Sequence, residues 1–176
     1  MNYNKNISYF FLFLILFYIF LTNSYFDYES SLINGGADGF SYYEISKYAP
    51  NISATAIQPI HSERFFFPYI IGIISKILNL EIYLIYRIFV ITVIILINKF
   101  FIDMFLQYNK NIFLILISLF VLNFNPYLTR YYLSIPLIIN DLIFVYGSLL
   151  TLNGLKHKIR SKFSIGLIIA SLARQS

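Results

Sequence analysis

Cysteine is absent from this chain, which excludes disulfides, thiolate metal sites and cysteine nucleophiles. Tryptophan is absent too, and methionine and alanine are sparse. Charge is scarce: 12% of the residues are Asp, Glu, Lys or Arg, against roughly 25% in soluble domains. The two histidines, His61 and His157, are far apart in sequence and do not make an ordinary metal site. There is no glycine-rich phosphate loop, no Ser-His-Asp set in a plausible context and no nucleic-acid motif. The formal charge of +5 is therefore read by position relative to apolar runs, not as affinity for nucleic acid.

What fills the chain is Phe, Ile, Leu and Tyr, with abundant Asn and Lys, a bias expected of AT-rich coding sequence. Hydrophobic residues make up 59%, and the mean hydropathy is +0.71. No water-soluble fold of 176 residues hides that much apolar surface. The expectation is an all-α integral membrane protein, a multi-span helical bundle in one polytopic domain. Because the composition inflates aromatic counts, aromatic clustering is discounted as a signal.

A helix needs about 20 apolar residues to cross the hydrocarbon core. Spans are expected at about 8–26, 82–101, 112–125 and 142–155, with a last one from Phe163 to Ser176. That last run reaches only about 21 Å of the ~30 Å core, so the chain is expected to be a fragment, or a truncated gene, ending inside a helix. Lys5 before the first run and Asp27 and Glu29 after it place the N-terminus in the cytoplasm. Thr22 and Ser24 form a weak signal-peptidase pattern, but the further spans favour an uncleaved first helix.

The stretch Phe65–Leu80 poses the topological question. If it crosses the membrane, Lys99, Lys110 and the cluster Lys156, Lys158, Arg160 and Lys162 all fall outside, against the positive-inside rule. If it lies at the outer interface, those residues join Lys5 in the cytoplasm with one acid, Asp103. Asp27, Glu29, Asp38, Glu44, Glu63, Glu81 and Asp141 then stand outside or at the outer boundary. Pro68 near its start, and Ser75, Lys76 and Asn79 within it, also suit an interfacial helix. The external loop, 27–81, is thus expected to carry interfacial helices.

Ionisable residues near lipid are the informative ones, and here they gather in NGGADGFSYYEISKYA (Asn34–Ala49) and HSERFFFP (His61–Pro68). Asp38 follows two glycines and precedes an expected helix, Gly39–Ala49. It reads as an N-cap or as a general base beside a phosphate leaving group; the two are compatible. Arg64 suits a phosphate through its bidentate fork, or snorkels over an aromatic patch. His61 is a further proton or phosphate contact, although a lone loop histidine is more often incidental. Glu63 pairs with Arg64 or a neighbour, Glu44 adds a carboxylate, and His157 belongs to a solvated basic run. A second external group, Asn125–Asp141, has Arg130 and Asp141 towards its ends. Asp141 reads as N-cap of the following helix, or, if the loops fold over one another, as a partner with Arg130 to Asp38 and Arg64. The sequon Asn51-Ile52-Ser53 carries little weight.

Taken together, GGADGFSYYEISKYA, RFFFPYIIGIISKILNL and EIYLIYRIFVITVIILINKF resemble the start of the lipid-linked-sugar glycosyltransferases of the GT-C class. Protein O-mannosyltransferases and aminoarabinose transferases belong to that class. SIPLIINDLIFVYGSLLTL and IIASLARQS also resemble segments of bacterial members. The resemblance implies a first helix, then an external loop with an acidic residue near its start, interfacial helices and a second span ending in basic residues. It implies transfer of a sugar from a polyprenyl-phosphate-linked donor to a glycan, lipid or protein acceptor on the extracytoplasmic side of a bacterial inner membrane. Asp38 would activate the acceptor as catalytic residue, and Arg64 would contact the donor phosphate, with Arg130 supporting it. His61, Glu44 and Asp141 complete the candidate substrate-binding set. The glycine-rich stretch has a single Asp and no further acidic motif like those of metal-using oligosaccharyltransferases, so no metal or other cofactor is expected. Partners are the lipid bilayer, the lipid-linked sugar and the acceptor, with no nucleic acid. The rivals are a polysaccharide polymerase or flippase, and an assembly subunit whose charges are all caps or snorkellers. Transport ranks lower, since no ionisable residue falls clearly mid-span before Arg174.

Overall fold

The computed structural model describes residues 2–22, 36–51, 64–108, 111–125 and 127–174. These are almost entirely helical, with no strand among them. In chain order the helices are α1 (Asn2–Thr22), α2 (Gly36–Tyr48), α3 (Phe66–Leu78), α4 (Ile82–Tyr108), α5 (Ile112–Phe124), α6 (Thr129–Ser134), α7 (Ile139–Lys156) and α8 (Arg160–Ala173), with a 3-10 turn over Pro136–Ile138. Three segments are long and apolar enough to cross a membrane: Asn4–Thr22, Ile82–Tyr108 and Pro136–Lys156.

Several expected boundaries move. The run expected at 82–101 continues to Tyr108. The run expected at 142–155 starts at Ile139 and is continuous with the turn that opens at Pro136. Proline needs no intrahelical N–H partner there, so it opens the helix instead of breaking it. The run expected at 112–125 is thirteen residues, Ile112–Phe124, about 20 Å long and short of the ~30 Å core. The last run begins at Arg160, not Phe163.

Polar contacts at the helix ends give the directions. Lys5 of α1 pairs with Asp103 of α4 at 3.0 Å, so these helices are antiparallel. Lys156, at the end of α7, lies 3.4 Å from Gln107 Oε1 and 3.9 Å from the Tyr108 ring centroid, so α7 runs parallel to α4. One end of the bundle thus collects Lys5, Lys99, Asp103, Lys156, Lys158, Arg160 and Lys162. At the other end, Arg130 Nη2 donates to Thr22 Oγ1 (3.3 Å), and Tyr18 of α1 packs on Phe124 of α5. The short α3 belongs to this second end at both of its termini. Its start is held where Asn140 of α7 donates to the Arg64 carbonyl (3.0 Å), and residues 79–81 lead from it directly into α4.

Two devices bring the helices close. α7 and α8 form a hairpin in which a Cβ on Gly147 would stand 2.6 Å from the Ala170 nitrogen, and one on Gly166 2.5 Å from that of Thr151. Small residues at these positions let the two backbones touch. Between α4 and α5, Asn98 and Asn123 exchange reciprocal amide hydrogen bonds of 3.1 and 2.7 Å. Thr129 Oγ1 donates to the same Asn123 oxygen at 3.0 Å, and all three side chains are buried. Replacing Asn98 and Asn123 singly and together by Ala, with unfolding followed in detergent, should give a coupling energy of about 0.6–1.7 kcal/mol. Additive losses would mean that the pair does not couple the helices.

Candidate functional site

α2 begins at Gly36, three residues before the expected start. Asp38 therefore occupies the first turn and is not the N-cap, a place where its charge still complements the positive helix end. The buried stripe Tyr42, Ile45 and Ala49 turns this helix onto its neighbours. α3 fits against it because Gly72 has no side chain to strike the Ser46 carbonyl. Ser46 Oγ donates to the Pro68 carbonyl at 2.7 Å and lies 2.8 Å from the Tyr86 hydroxyl of α4. Lys76 and Tyr69 of α3 donate to the carbonyls of Ala49 and Pro50, fastening the far end of α2. The helix carrying Asp38 is thus held by α3 and α4 together.

Arg64, just before α3, is the centre of the charged group. Its guanidinium lies 3.9 Å from Asp141 of α7, beside the Tyr42 hydroxyl and within the field of Asp38. Asp141 also falls in a first helical turn, not at the N-cap. Burial works to lower the Arg64 pKa, but Tyr42, Asp141 and Asp38 outweigh it and the value rises. Burial pushes the Tyr42 phenol up, opposed by the neighbouring Asn140 and Arg64 side chains. Tyr132 of α6 is raised to about 12 by burial and by the charge of Asp141. The side-chain oxygen of Asn140 is shielded from solvent and has no hydrogen-bond partner among the described residues. It offers an acceptor to a hydroxyl.

The structure therefore brings Asp38, Arg64 and Asp141 together and leaves other candidates elsewhere. Arg130 does not join them: besides its bond to Thr22, its guanidinium sits 5.5 Å from the Phe124 ring centroid, binding the end of α5 to α1. Glu44 is buried and pairs with Lys47 one turn on, at 3.5 Å. His61 and Glu63 lie outside the described residues. Tyr42, Asn140 and Tyr132 were not picked out from sequence. Tyr42 stands four residues from Asp38, hence on the same helix face, a signal hidden among sixteen tyrosines. No group of three or more His, Cys, Asp or Glu able to hold a metal occurs among the described residues.

A second polar feature lies at the same end, a cleft of about 650 Å³ lined by residues that include Tyr43, Ser75, Glu81 and Arg87. The Arg87 guanidinium is 4.6 Å from the centroid of the Tyr83 ring, which also lines it. Chemically, this end can hold an anion at a guanidinium whose pair with Asp141 is long and incomplete, with a carboxylate and a neutral phenol alongside. No protein-family model, curated protein or solved structure matches the chain.

A tyrosine raised in the folded state binds its proton more tightly there than in the unfolded chain. Its stabilising contribution is complete below pH 10 and is lost as pH rises towards about 12. Alkaline unfolding in detergent should therefore steepen across that window, and Tyr132→Phe should flatten it. An unchanged profile in the variant would mean that Tyr132 does not set it.

Proposed function

We propose that this chain works in a membrane glycosyltransferase, moving a sugar from a polyprenyl-phosphate donor to an acceptor on the extracytoplasmic side of a bacterial cell membrane. The observation that carries the reading is the convergence of Asp38, Tyr42, Arg64 and Asp141 at the bundle end opposite the lysines. By the positive-inside rule the lysine end faces the cytoplasm, which puts the N-terminus inside and this group outside. α3, starting and ending at the same end, then lies along the outer interface, where a lipid phosphate resides.

In the proposed step, Asp38 accepts the proton of an acceptor hydroxyl while that oxygen attacks the anomeric carbon of the donor sugar. The bond from that carbon to the phosphate oxygen breaks, and polyprenyl phosphate leaves with the electron pair. Arg64 takes up the charge that grows on the leaving phosphate, the contribution that is usually largest in such sites. The Tyr42 phenol, neutral across the physiological range, stands beside the guanidinium, and the Asn140 oxygen is placed to accept from a hydroxyl.

The test is transfer of labelled sugar from a polyprenyl-phosphate donor in membranes containing the protein. Asp38→Asn should abolish transfer and leave membrane insertion intact. Arg64→Lys, which keeps the charge but loses the fork, should reduce the rate by about 10²–10³-fold. Undiminished transfer in Asp38→Asn would remove that residue from the mechanism. One observation favours an assembly role instead: Asn140 and Asp141 staple the start of α3 to α7 through Arg64. Loss of stability without loss of transfer in Asp141→Asn would assign that pair to architecture.

A further inference from the structure

We propose that the lysine end of the bundle carries a binding groove for one anionic phospholipid, of the phosphatidylglycerol type. This rests on the membrane placement of the helices and not on the transferase chemistry. α7 forms the floor of the groove, and its walls are α4 on one side and α8 on the other. The cavity is about 190 Å³.

Its lining changes character along the helix axis. Towards the middle of the helices it is apolar, with Leu96 on α4 and Tyr146 and Leu150 on α7. These suit the upper part of an acyl chain. Towards the end shared with Lys5 and Lys156 it is polar, with Lys99 from one wall, Lys162 from the other and Asn153 between them on the floor. Both lysines are exposed, able to reach along their stems to a phosphate at headgroup depth.

The charge balance favours an anion. The groove's carboxylate, Asp103, is engaged by Lys5 at 3.0 Å, which leaves the two lysines facing each other across the opening. Lys156, Lys158 and Arg160 add positive potential around the same end. Basic pockets between helices on the cytoplasmic side are a recurring place for anionic headgroups. Asn153 narrows the choice. Its side-chain oxygen is shielded from solvent and has no hydrogen-bond partner among the described residues. An acceptor beside two cations suits a headgroup carrying both a phosphate and a hydroxyl donor.

The test is native mass spectrometry of the full chain in detergent, titrated with phosphatidylglycerol or phosphatidylcholine, with sn-glycerol 3-phosphate as a soluble competitor. One phosphatidylglycerol should be retained in preference to phosphatidylcholine, and millimolar glycerol phosphate should not displace it. Lys99→Gln with Lys162→Gln should weaken retention by about 25-fold, at about 5-fold per lysine. Asn153→Leu should weaken it severalfold. Lys158→Gln with Arg160→Gln, at the same end but outside the groove lining, should weaken it clearly less than the groove pair does. Equal retention of the two lipids would overturn the proposal, as would an equal loss in the control pair. Full displacement by glycerol phosphate would reduce the site to one for free phosphate and overturn the lipid assignment. Sugar transfer is read separately, so failure here leaves the transferase reading standing, and the reverse.

Discussion

The shortness of α3 and the places where its ends are held constrain the rest of the molecule. Its thirteen residues run from Arg64, tied to Asn140 and Asp141 at the start of α7, to residues 79–81 at the start of α4. α4 and α7 are parallel, so both attachment points lie at one end of the bundle. A segment of about 20 Å tethered in this way returns to the end it started from. Everything that follows in the chain inherits that choice. Had α3 passed through, the basic residues of α4 and of the α7–α8 turn would both have been carried to the end of the bundle away from Lys5.

Segregation of charge follows from that constraint. Lys5 and Asp103 meet at one end, and Arg64 and Asp141 at the other. Between them the described helices are joined by apolar packing, by the close glycine contacts of the α7–α8 hairpin and by the amide pair of Asn98 and Asn123. That division is economical for helices in hydrocarbon, where an unpaired polar group is costly and a paired amide is tolerated. Under the proposed placement, it also gives each end a separate task. One faces a lipid-linked substrate, and the other is set among anionic headgroups.

The candidate site is built from three separate pieces of chain: the first turn of α2, the residue before α3 and the first turn of α7. Its ionisable members could be picked out in the sequence, because Asp and Arg beside apolar runs are rare and expensive. Arg130 was read by the same logic and went elsewhere, since the side of α6 from which it projects faces α1. Tyr42 and Asn140 carried no such flag. A tyrosine among sixteen is unremarkable by composition, and only the packing of α2 against α3 and α4 sets its hydroxyl beside Arg64.

Local properties belong to the sequence alone. Hydropathy and run length determined that apolar helices occupy 82–101 and 142–155, within the longer Ile82–Tyr108 and Ile139–Lys156 of the fold, and the spacing of lysines along the chain determined which helix ends carry positive charge. Helix starts were displaced, that of α1 from the expected Ser8 back to Asn2 and the others by about a turn or less, because capping depends on backbone geometry that residue types only bias. Tertiary structure decided which charges face one another, which wall each lysine of the groove stands on, and that the guanidinium facing Asp141 also lies within the field of Asp38. Such pairings join residues up to a hundred positions apart. Their distances are set by helix packing, and no periodicity within a single segment encodes them.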